Sequence, residues 1–519
     1  MSVAGAAGTQ PPRELAALLE GLAAAPAGLV VADVTLDSRR ARRDGLFLAC
    51  AGRRTHGLVG AAAAVDAGVR AVLWEPAAGV EPPAGLDSRA FVAPVPGLSR
   101  HAGAIAARFF DAPSRAMTVA GITGTNGKTT SCWLLAQALH GLGRPCGYVG
   151  TLGAGLPPGP VEPGEFTTAD AVSVQRQLAA LRAAGARCVA MEVSSHALDQ
   201  HRVGGVEFRV AAFTNLTRDH LDYHGTMEAY GAAKARLFDW PGLGARVFNV
   251  DDAFGARLAG SALQAGSVTF AVARQAASRA LLGQLRAAGA RALQAGAVRS
   301  TSRGLEFRVE GGFGARELRL PLVGDFNVEN ALVVLGCLLA LDVPVDAAIE
   351  ALARCGAPSG RMETLGGGER PLAIVDYAHT PDALAKALRA ARAHCSGRLH
   401  VVFGCGGDRD PGKRPQMGAI AAQLADALVV TDDNPRTESP QRIVADILAG
   451  LPGGAGAEVV HDRAEAIRAT LARARPGDVV LVAGKGHEDY QFVGAERRPF
   501  SDQAEVRAAL GLVPVGGRS

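Results

Sequence analysis

The stretch from Met117 to Thr130, MTVAGITGTNGKTT, runs from an apolar strand through a glycine loop into a helix. A strand that must end where a helix begins makes the surrounding domain α/β. Across Gly124, Thr125, Asn126, Gly127, Lys128, Thr129 and Thr130, the glycines let backbone N–H groups curl around phosphate oxygens. The helix N-terminus adds partial positive charge. Lys128 reaches toward the outer phosphates and Thr129 can ligate Mg²⁺. The first glycine stands closer to the Gly-Lys-Thr than in the usual spacing, so this is a variant phosphate loop. It predicts nucleotide binding and leaves the use of the phosphate open.

A chain of 519 residues exceeds one ordinary core, so several domains are expected. Residues 1–114 alternate the short strands GLFLACAG, RAVLWEP and FVAPV with Ala-rich helices and read as a small α/β domain. Residues 115–355 contain the phosphate loop and further strands at CVAMEV, RVAAFTN, ARVFNV and SVTFAV, a mixed α/β unit. Residues 356–519 alternate most cleanly, with strands in PLAIVDYAH, RLHVVFGCGG, DALVVTDDNP, EVVHD and DVVLVAGKGHE, each but the last followed by a helical stretch. That pattern predicts a doubly wound, largely parallel sheet. The Ala/Gly-rich stretch Ala280 to Ala297 reads as helices and loops without chemistry.

The formal charge of +4 arises from 54 basic and 50 acidic residues with no basic block, which argues against a nucleic-acid partner. Eight scattered cysteines without CxxC spacing read as buried, reduced thiols. No basic-then-apolar leader opens the chain, and no apolar run reaches the roughly 20 residues needed to span a bilayer. A soluble, cytoplasmic protein is expected. Nearly all the basic residues are Arg; the lysines are Lys128, Lys234, Lys386, Lys413 and Lys485. Where Arg supplies surface charge so freely, a retained lysine is a candidate for work as a primary amine, although base composition explains the bias equally well.

Glu192 ends the apolar strand CVAMEV, where a carboxylate beside a phosphate loop would hold Mg²⁺. Without that loop, an exposed strand-end acid would be the better reading. His220, in TNLTRDHLDYHG, lies where a second metal could bind, though a lone loop histidine is more often merely solvated. Lys234, in MEAYGAAKARLF, would alone pass for a solvated helix charge. Near two candidate metal ligands it is worth keeping. In the third unit DYAHTPDAL, GCGGDRDPGKRP, DDNPRTESP and AGKGHEDYQF each follow a strand, so these polar loops emerge on the ligand-binding edge of a parallel sheet. Any one could be ordinary turn chemistry; four together are a candidate site.

In order along the chain, LDSR, ITGTNGKTT, MEVSSHALDQHRV, TNLTRDHLDYHG, the AAK of Lys234, GDFNVENA, SGRME, DYAHTPDAL, GGDRD, DNPR and GKGHE resemble the Mur ligases, and within them the branch that adds meso-diaminopimelate. The resemblance spans essentially the whole chain. It implies a UDP-binding N-terminal domain, a central ATPase domain and a Rossmann-like C-terminal domain that closes over the site. The implied activity is ATP-dependent addition of meso-diaminopimelate to UDP-N-acetylmuramoyl-L-alanyl-D-glutamate through an acyl phosphate, by a monomer.

Carried over by resemblance, Ser38 is a uridine-side contact, and Thr167, Thr168, Ser194, Gln200 and Arg202 contact the UDP-muramoyl dipeptide. Lys128, Thr129 and Glu192 serve the phosphates and a first Mg²⁺, His220 a second. Lys234 matches the lysine that the family carbamylates into a metal ligand. Asn327, Asn330, Arg361 and Asp376 resemble the contacts to ATP. Arg409, Asp433, Asn434, Pro435, Arg436, Gly484 and Glu488 resemble the diaminopimelate pocket. Alternatives are a sibling Mur ligase, an L-lysine-adding enzyme or a folylpolyglutamate synthase, which the DNPR loop argues against, and outside enzymes an ATP-sensing binding protein.

Overall fold

Long apolar runs with few alternations require strands covered on both faces, and that requirement organises this chain. The computed structural model describes residues 10–52, 55–301, 304–453 and 456–512. They pack as two units, one reaching to Leu293 and taking in Val333–Pro344, the other formed by Gln294–Leu332 and the chain from Val345 onward. The mixed α/β class with parallel-rich sheets is the one expected.

The first unit opens with a parallel four-stranded sheet of Asp33–Thr35, Gly45–Ala49, Ala71–Trp74 and Phe91–Pro94. Every residue of Gly45–Ala49 is buried. Leu46 and Leu48 face one core and Phe47 and Ala49 the other, so both faces are covered. Asp33–Thr35 adds a strand to the three read from sequence.

The same unit holds the sheet that carries the phosphate loop. Within this unit its order is Val161–Glu162, Gly153–Gly155, Cys146–Gly150, Cys188–Glu192, Thr118–Thr123, Phe208–Phe213, Ala245–Asn249, Thr269–Ala273. The last six run parallel. From the central strand Thr118–Thr123 the chain builds first on one side and then crosses to Phe208–Phe213 on the other. The phosphate loop therefore leaves the sheet where the strand order reverses, the usual position of a ligand crevice.

In the second unit, Gly304–Gly311 pairs antiparallel with Arg291–Thr301 and with Gly314–Leu320. This corrects the reading of Ala280–Ala297 as helices and loops: Arg279–Ala287 is helical, but Arg291–Thr301 is a strand. Alanine's helix propensity yields to pairing, as in Val298 opposite Phe307 and Ala295 opposite Val309. The remaining sheet has the order Glu363–Gly366, Leu372–Asp376, Val479–Ala483, Leu399–Phe403, Ala427–Val430, Glu458–Val459, parallel except at its first edge. Helices Pro381–Arg392, Lys413–Leu424 and Pro440–Leu448 cover one face, and Arg463–Arg473 and Asp502–Ala509 the other. This is the expected doubly wound sheet. The last strand leads into a hairpin that sequence did not announce, Tyr490–Val493 against Glu496–Pro499. Among the described residues no helix is long and apolar enough to cross a membrane.

Candidate active site

The phosphate loop has the backbone that its glycines allow. Gly124 has φ 151°, and a Cβ there would fall 1.9 Å from Thr214 Oγ1; Gly127, at φ 84°, begins the helix Lys128–Gly141. Thr125 N donates to Asn215 O at 2.8 Å and Asn126 N to Asn215 Oδ1 at 2.9 Å, so the TNLTRDH segment braces the loop. No acid stands in the first helical turn to compete for the N-terminal dipole. Lys128 Nζ folds back onto Gly124 O (2.9 Å) and Thr125 O (2.8 Å). Lys234 Nζ, 1% exposed, reaches the same Gly124 O at 2.7 Å. Burial, reinforced by the charge of Lys128, lowers the Lys234 pKa to about 6.

Glu192 is fully buried and surrounded by donors. Its carboxylate accepts from Thr129 Oγ1 (3.0 Å), Thr151 N (2.9 Å), Thr151 Oγ1 (3.2 Å) and the Tyr148 hydroxyl (2.5 Å). Burial and this carboxylate hold the Tyr148 phenol far above its ordinary pKa. A Cβ on Gly150 would lie 2.2 Å from Glu192 Oε1, so the strand end is cut to fit the acid. The hydroxyl–carboxylate pair of Thr129 and Glu192 suits Mg²⁺, which keeps several waters and shares phosphate oxygens instead of filling an all-protein cage. Among the described residues, no three His, Cys, Asp or Glu side chains gather into a cation-holding group.

His220 is half-exposed, at φ 51°, with its ring 4.8 Å from His196 and 6.0 Å from Tyr230. The Tyr230 hydroxyl lies 3.2 Å from Thr125 Oγ1, which ties the following helix, Met227–Ala235, to the phosphate loop. Burial, followed by the charges of His220, His224 and Arg202, lowers the His196 pKa to about 4.

The residues assigned to the UDP-muramoyl dipeptide form one hydrogen-bonded chain leading away from Glu192. Thr151 Oγ1, its own proton turned to Glu192, accepts from Thr167 Oγ1 (3.1 Å), and Thr168 Oγ1 donates to the Glu192 carbonyl (2.9 Å) while accepting from Ser194 N (3.1 Å). Ser194 caps the helix Ser195–Asp199. Arg202 donates to Thr168 O (3.1 Å) and twice to Gln200 Oε1, and Gln200 Nε2 donates to the Tyr223 hydroxyl (2.9 Å). Ser38 stands apart, beyond the strand Asp33–Thr35 of the N-terminal sheet, opening the short helix Ser38–Arg40. The adjoining Asp37, Arg39 and Arg40 help line a cavity of about 490 Å³.

In the second unit, Asn327 Nδ2 donates to Val323 O (2.7 Å) and Asn330 Nδ2 to Asn327 Oδ1 (2.9 Å). Asp376 accepts from Met362 N (2.8 Å), and burial raises its pKa. Arg361 lies over the Tyr377 ring at 5.1 Å, and its buried Nε has no partner among the described residues.

The loops of the parallel sheet meet as their strand positions require. Arg436, at φ 52°, donates from NH1 to Gly407 O (2.7 Å) and from its backbone N to Phe492 O (3.2 Å). Gly407 N donates to Asn434 O (2.9 Å), and a Cβ on Gly407 would fall 1.9 Å from Pro435 O. Gly484, at φ 122°, passes so close to Asp433 that a Cβ would sit 2.5 Å from Asp433 Oδ2. Asn434 Nδ2 donates to Glu488 Oε2 (3.0 Å). Arg409 is exposed and, among the described residues, donates to its neighbour's carbonyl, Asp408 O, at 3.3 Å.

Sequence reasoning overlooked Tyr148 and Thr151, which lie outside every motif, and Tyr223, which lies inside TNLTRDHLDYHG; each is recognisable by the carboxylate it touches, Glu192 for the first two and Asp199 for the third. It credited scarce lysines collectively, but Lys386 makes an exposed ion pair with Asp382 and Lys413 donates to the His379 carbonyl, ordinary surface roles.

The Mur ligase middle domain matches residues 122–338, and the Mur ligase glutamate ligase domain matches residues 360–486. The chain is 50% identical over 489 residues to the UDP-N-acetylmuramoyl-L-alanyl-D-glutamate–2,6-diaminopimelate ligase of Ectopseudomonas mendocina (strain ymp), covering 94% of this chain and 97% of that one. It is 48% identical to the ligase of the same name from Pseudomonas aeruginosa, with 93% and 95% covered. A solved structure of a ligase of that name superposes with a TM-score of 0.69 at 35% identity, covering 93% of this chain and 95% of the other.

Proposed function

The chain belongs to the Mur ligase family, and on that premise we propose which of its residues carry the reaction. It is an ATP-dependent ligase that joins meso-diaminopimelate to the D-glutamate of UDP-N-acetylmuramoyl-L-alanyl-D-glutamate, forming an amide in peptidoglycan precursor synthesis. Our reading divides it into a UDP-binding domain to residue 114, an ATPase domain over 115–355 and an amino-acid-binding domain from 356, working as a cytoplasmic monomer.

The observation that carries the residue assignments is the grouping of Lys128, Lys234 and the Thr129–Glu192 pair around one phosphate loop. Lys128 and the loop amides offset charge on the γ-phosphate, so the D-glutamate carboxylate can attack phosphorus and expel ADP. Thr129 and Glu192 would hold a first Mg²⁺, and His220 with carbamylated Lys234 a second; bound cations supply Lewis-acid neutralisation of phosphate charge. The chain Thr167, Thr168, Ser194, Gln200 and Arg202 orients the dipeptide, with Ser38 on the uridine side. Asn327, Asn330, Arg361 and Asp376 bind ATP. Diaminopimelate, held by Arg409, Asp433 to Arg436, Gly484 and Glu488, attacks the acyl phosphate through its amine, and phosphate leaves.

Single-turnover assays test this. ADP formation should require the UDP-muramoyl dipeptide, and amide product should require diaminopimelate as well. ATP binding with no co-substrate-dependent ADP would instead identify a nucleotide sensor.

A further inference from the structure

Lys485 is fully buried, yet its ammonium carries three polar neighbours from two loops. Nζ donates to Asn434 Oδ1 at 3.0 Å and Glu488 Oε2 at 3.3 Å, and lies 3.9 Å from Asp433 Oδ1. Asn434 Oδ1 also accepts from Phe492 N at 2.9 Å. Two donors on that oxygen fix which way the amide faces, so Nδ2 must turn to Glu488 Oε2, where it is found. Below the cluster, Arg463 makes a buried two-contact pair with Asp502 (2.7 and 2.8 Å) and donates to Ala483 O (3.0 Å), anchoring the strand end that leads into Lys485. Asp433 and Glu488 are two carboxylates at one subsite, and a buried cation facing both offsets their repulsion.

We propose that Lys485 is the positioning residue of the amino-acid subsite, setting the orientation of Asn434 and the placement of Glu488 so that they meet an incoming diamino acid. The inference rests on the assignment of Asn434 and Glu488 to that subsite. Lys485 does not touch substrate; it acts through these two side chains. Its loss therefore falls on amino-acid recognition and spares the nucleotide and the UDP-muramoyl dipeptide.

The test is steady-state kinetics of Lys485→Met, which keeps the length of the side chain and removes its charge. KM for diaminopimelate should rise about 10-fold or more, as misplacement of orienting groups does, while KM for ATP and for the UDP-muramoyl dipeptide stays within about 2-fold. Lys485→Gln, which keeps one donor for Asn434, should recover part of that loss and supplies the comparison should the Met variant not fold. Equal increases in all three KM values, or no change in that for diaminopimelate, would overturn the proposal. Glu488→Gln separates the two levels: if it leaves the diaminopimelate KM unchanged, the subsite assignment fails; if it raises that KM and Lys485→Met does not, only the role of Lys485 fails.

Discussion

Lys128 and Lys234 donate to one acceptor, the carbonyl oxygen of Gly124, at 2.9 and 2.7 Å. Two ammonium groups sharing one oxygen repel each other, and the buried one yields: Lys234 is held at a pKa of about 6, chiefly by burial and then by Lys128. Lys128 stands half-buried at the start of its helix, while Lys234 in the interior is largely a neutral amine. That division suits the two chemistries assigned to them, charge stabilisation by Lys128 and carbamylation of Lys234.

Lys128→Ala should therefore lower kcat by on the order of 10²-fold or more, since it removes a cation aimed at developing phosphate charge. It should also move the Lys234 pKa upward by removing the neighbouring positive charge. Single-turnover ADP formation checks the first, and the pH dependence of Lys234 acylation by a small electrophile checks the second. A folded variant with near-normal turnover would remove the phosphate-loop assignment.

Carbamylation consumes a neutral amine and CO₂ and releases a proton. With a folded pKa of about 6, Lys234 is mostly neutral at pH 7 and should carbamylate there, with the reaction failing as pH falls through about 6. The stability sign follows. In CO₂-free buffer the unfolded chain holds the extra proton between about 6 and the ordinary lysine value of 10.5, so wild type should gain stability relative to Lys234→Met as pH rises through that window. Lys234→Ala should be inactive and partly rescued by small carboxylic acids. Intact mass showing only a free amine, with full activity in bicarbonate-free buffer, would refute the modification.

Tyr148→Phe removes a buried donor from Glu192 without changing the shape of the core. Hydrogen bonds to charged groups contribute about 1.5–3 kcal/mol, so chemical denaturation should show a loss of that order. The Mg²⁺ concentration giving half-maximal activity should shift with it, because Thr129 and Thr151 would be left to orient the carboxylate. Unchanged Mg²⁺ dependence in the variant would separate Tyr148 from the metal site.

The phosphate loop, the parallel strands of the second unit and the Asp433–Arg436 loop were legible because each is local: a glycine spacing, an apolar run, a polar turn after a strand. Tyr148 was not, since nothing near it in sequence marks Glu192, forty-four residues on, as its partner. Arg291–Thr301 was misread because alanine-rich sequence favours helix unless a neighbouring strand supplies the pairing. Lys485 was legible as one of five scarce lysines and as a letter of GKGHE, with no role attached. Its meaning lies in Asn434, which the chain brings alongside only after folding.

Discrimination between diaminopimelate and lysine should reside in Arg436. Its left-handed backbone, its bond to Phe492 O and the NH1 contact to Gly407 O fix the guanidinium at the meeting point of two loops. The remaining N–H donors of the planar fork match a carboxylate in a bidentate pair. Diaminopimelate brings a distal carboxylate to that fork, whereas lysine, with the same length and both amines, brings none and leaves those donors without a carboxylate. Sites built around such a contact reject the analogue that lacks it by about 10⁴-fold. Arg436→Lys keeps a charge but loses the fork and the Gly407 contact, so kcat/KM for diaminopimelate should fall while that for lysine barely moves, compressing the ratio. Were the bond from Arg436 to Gly407 the whole of its role, as in a solvated turn, the two amino acids would lose rate together. Equal use of both by wild type, or an unchanged ratio in Arg436→Lys, would show that specificity is set elsewhere in the subsite.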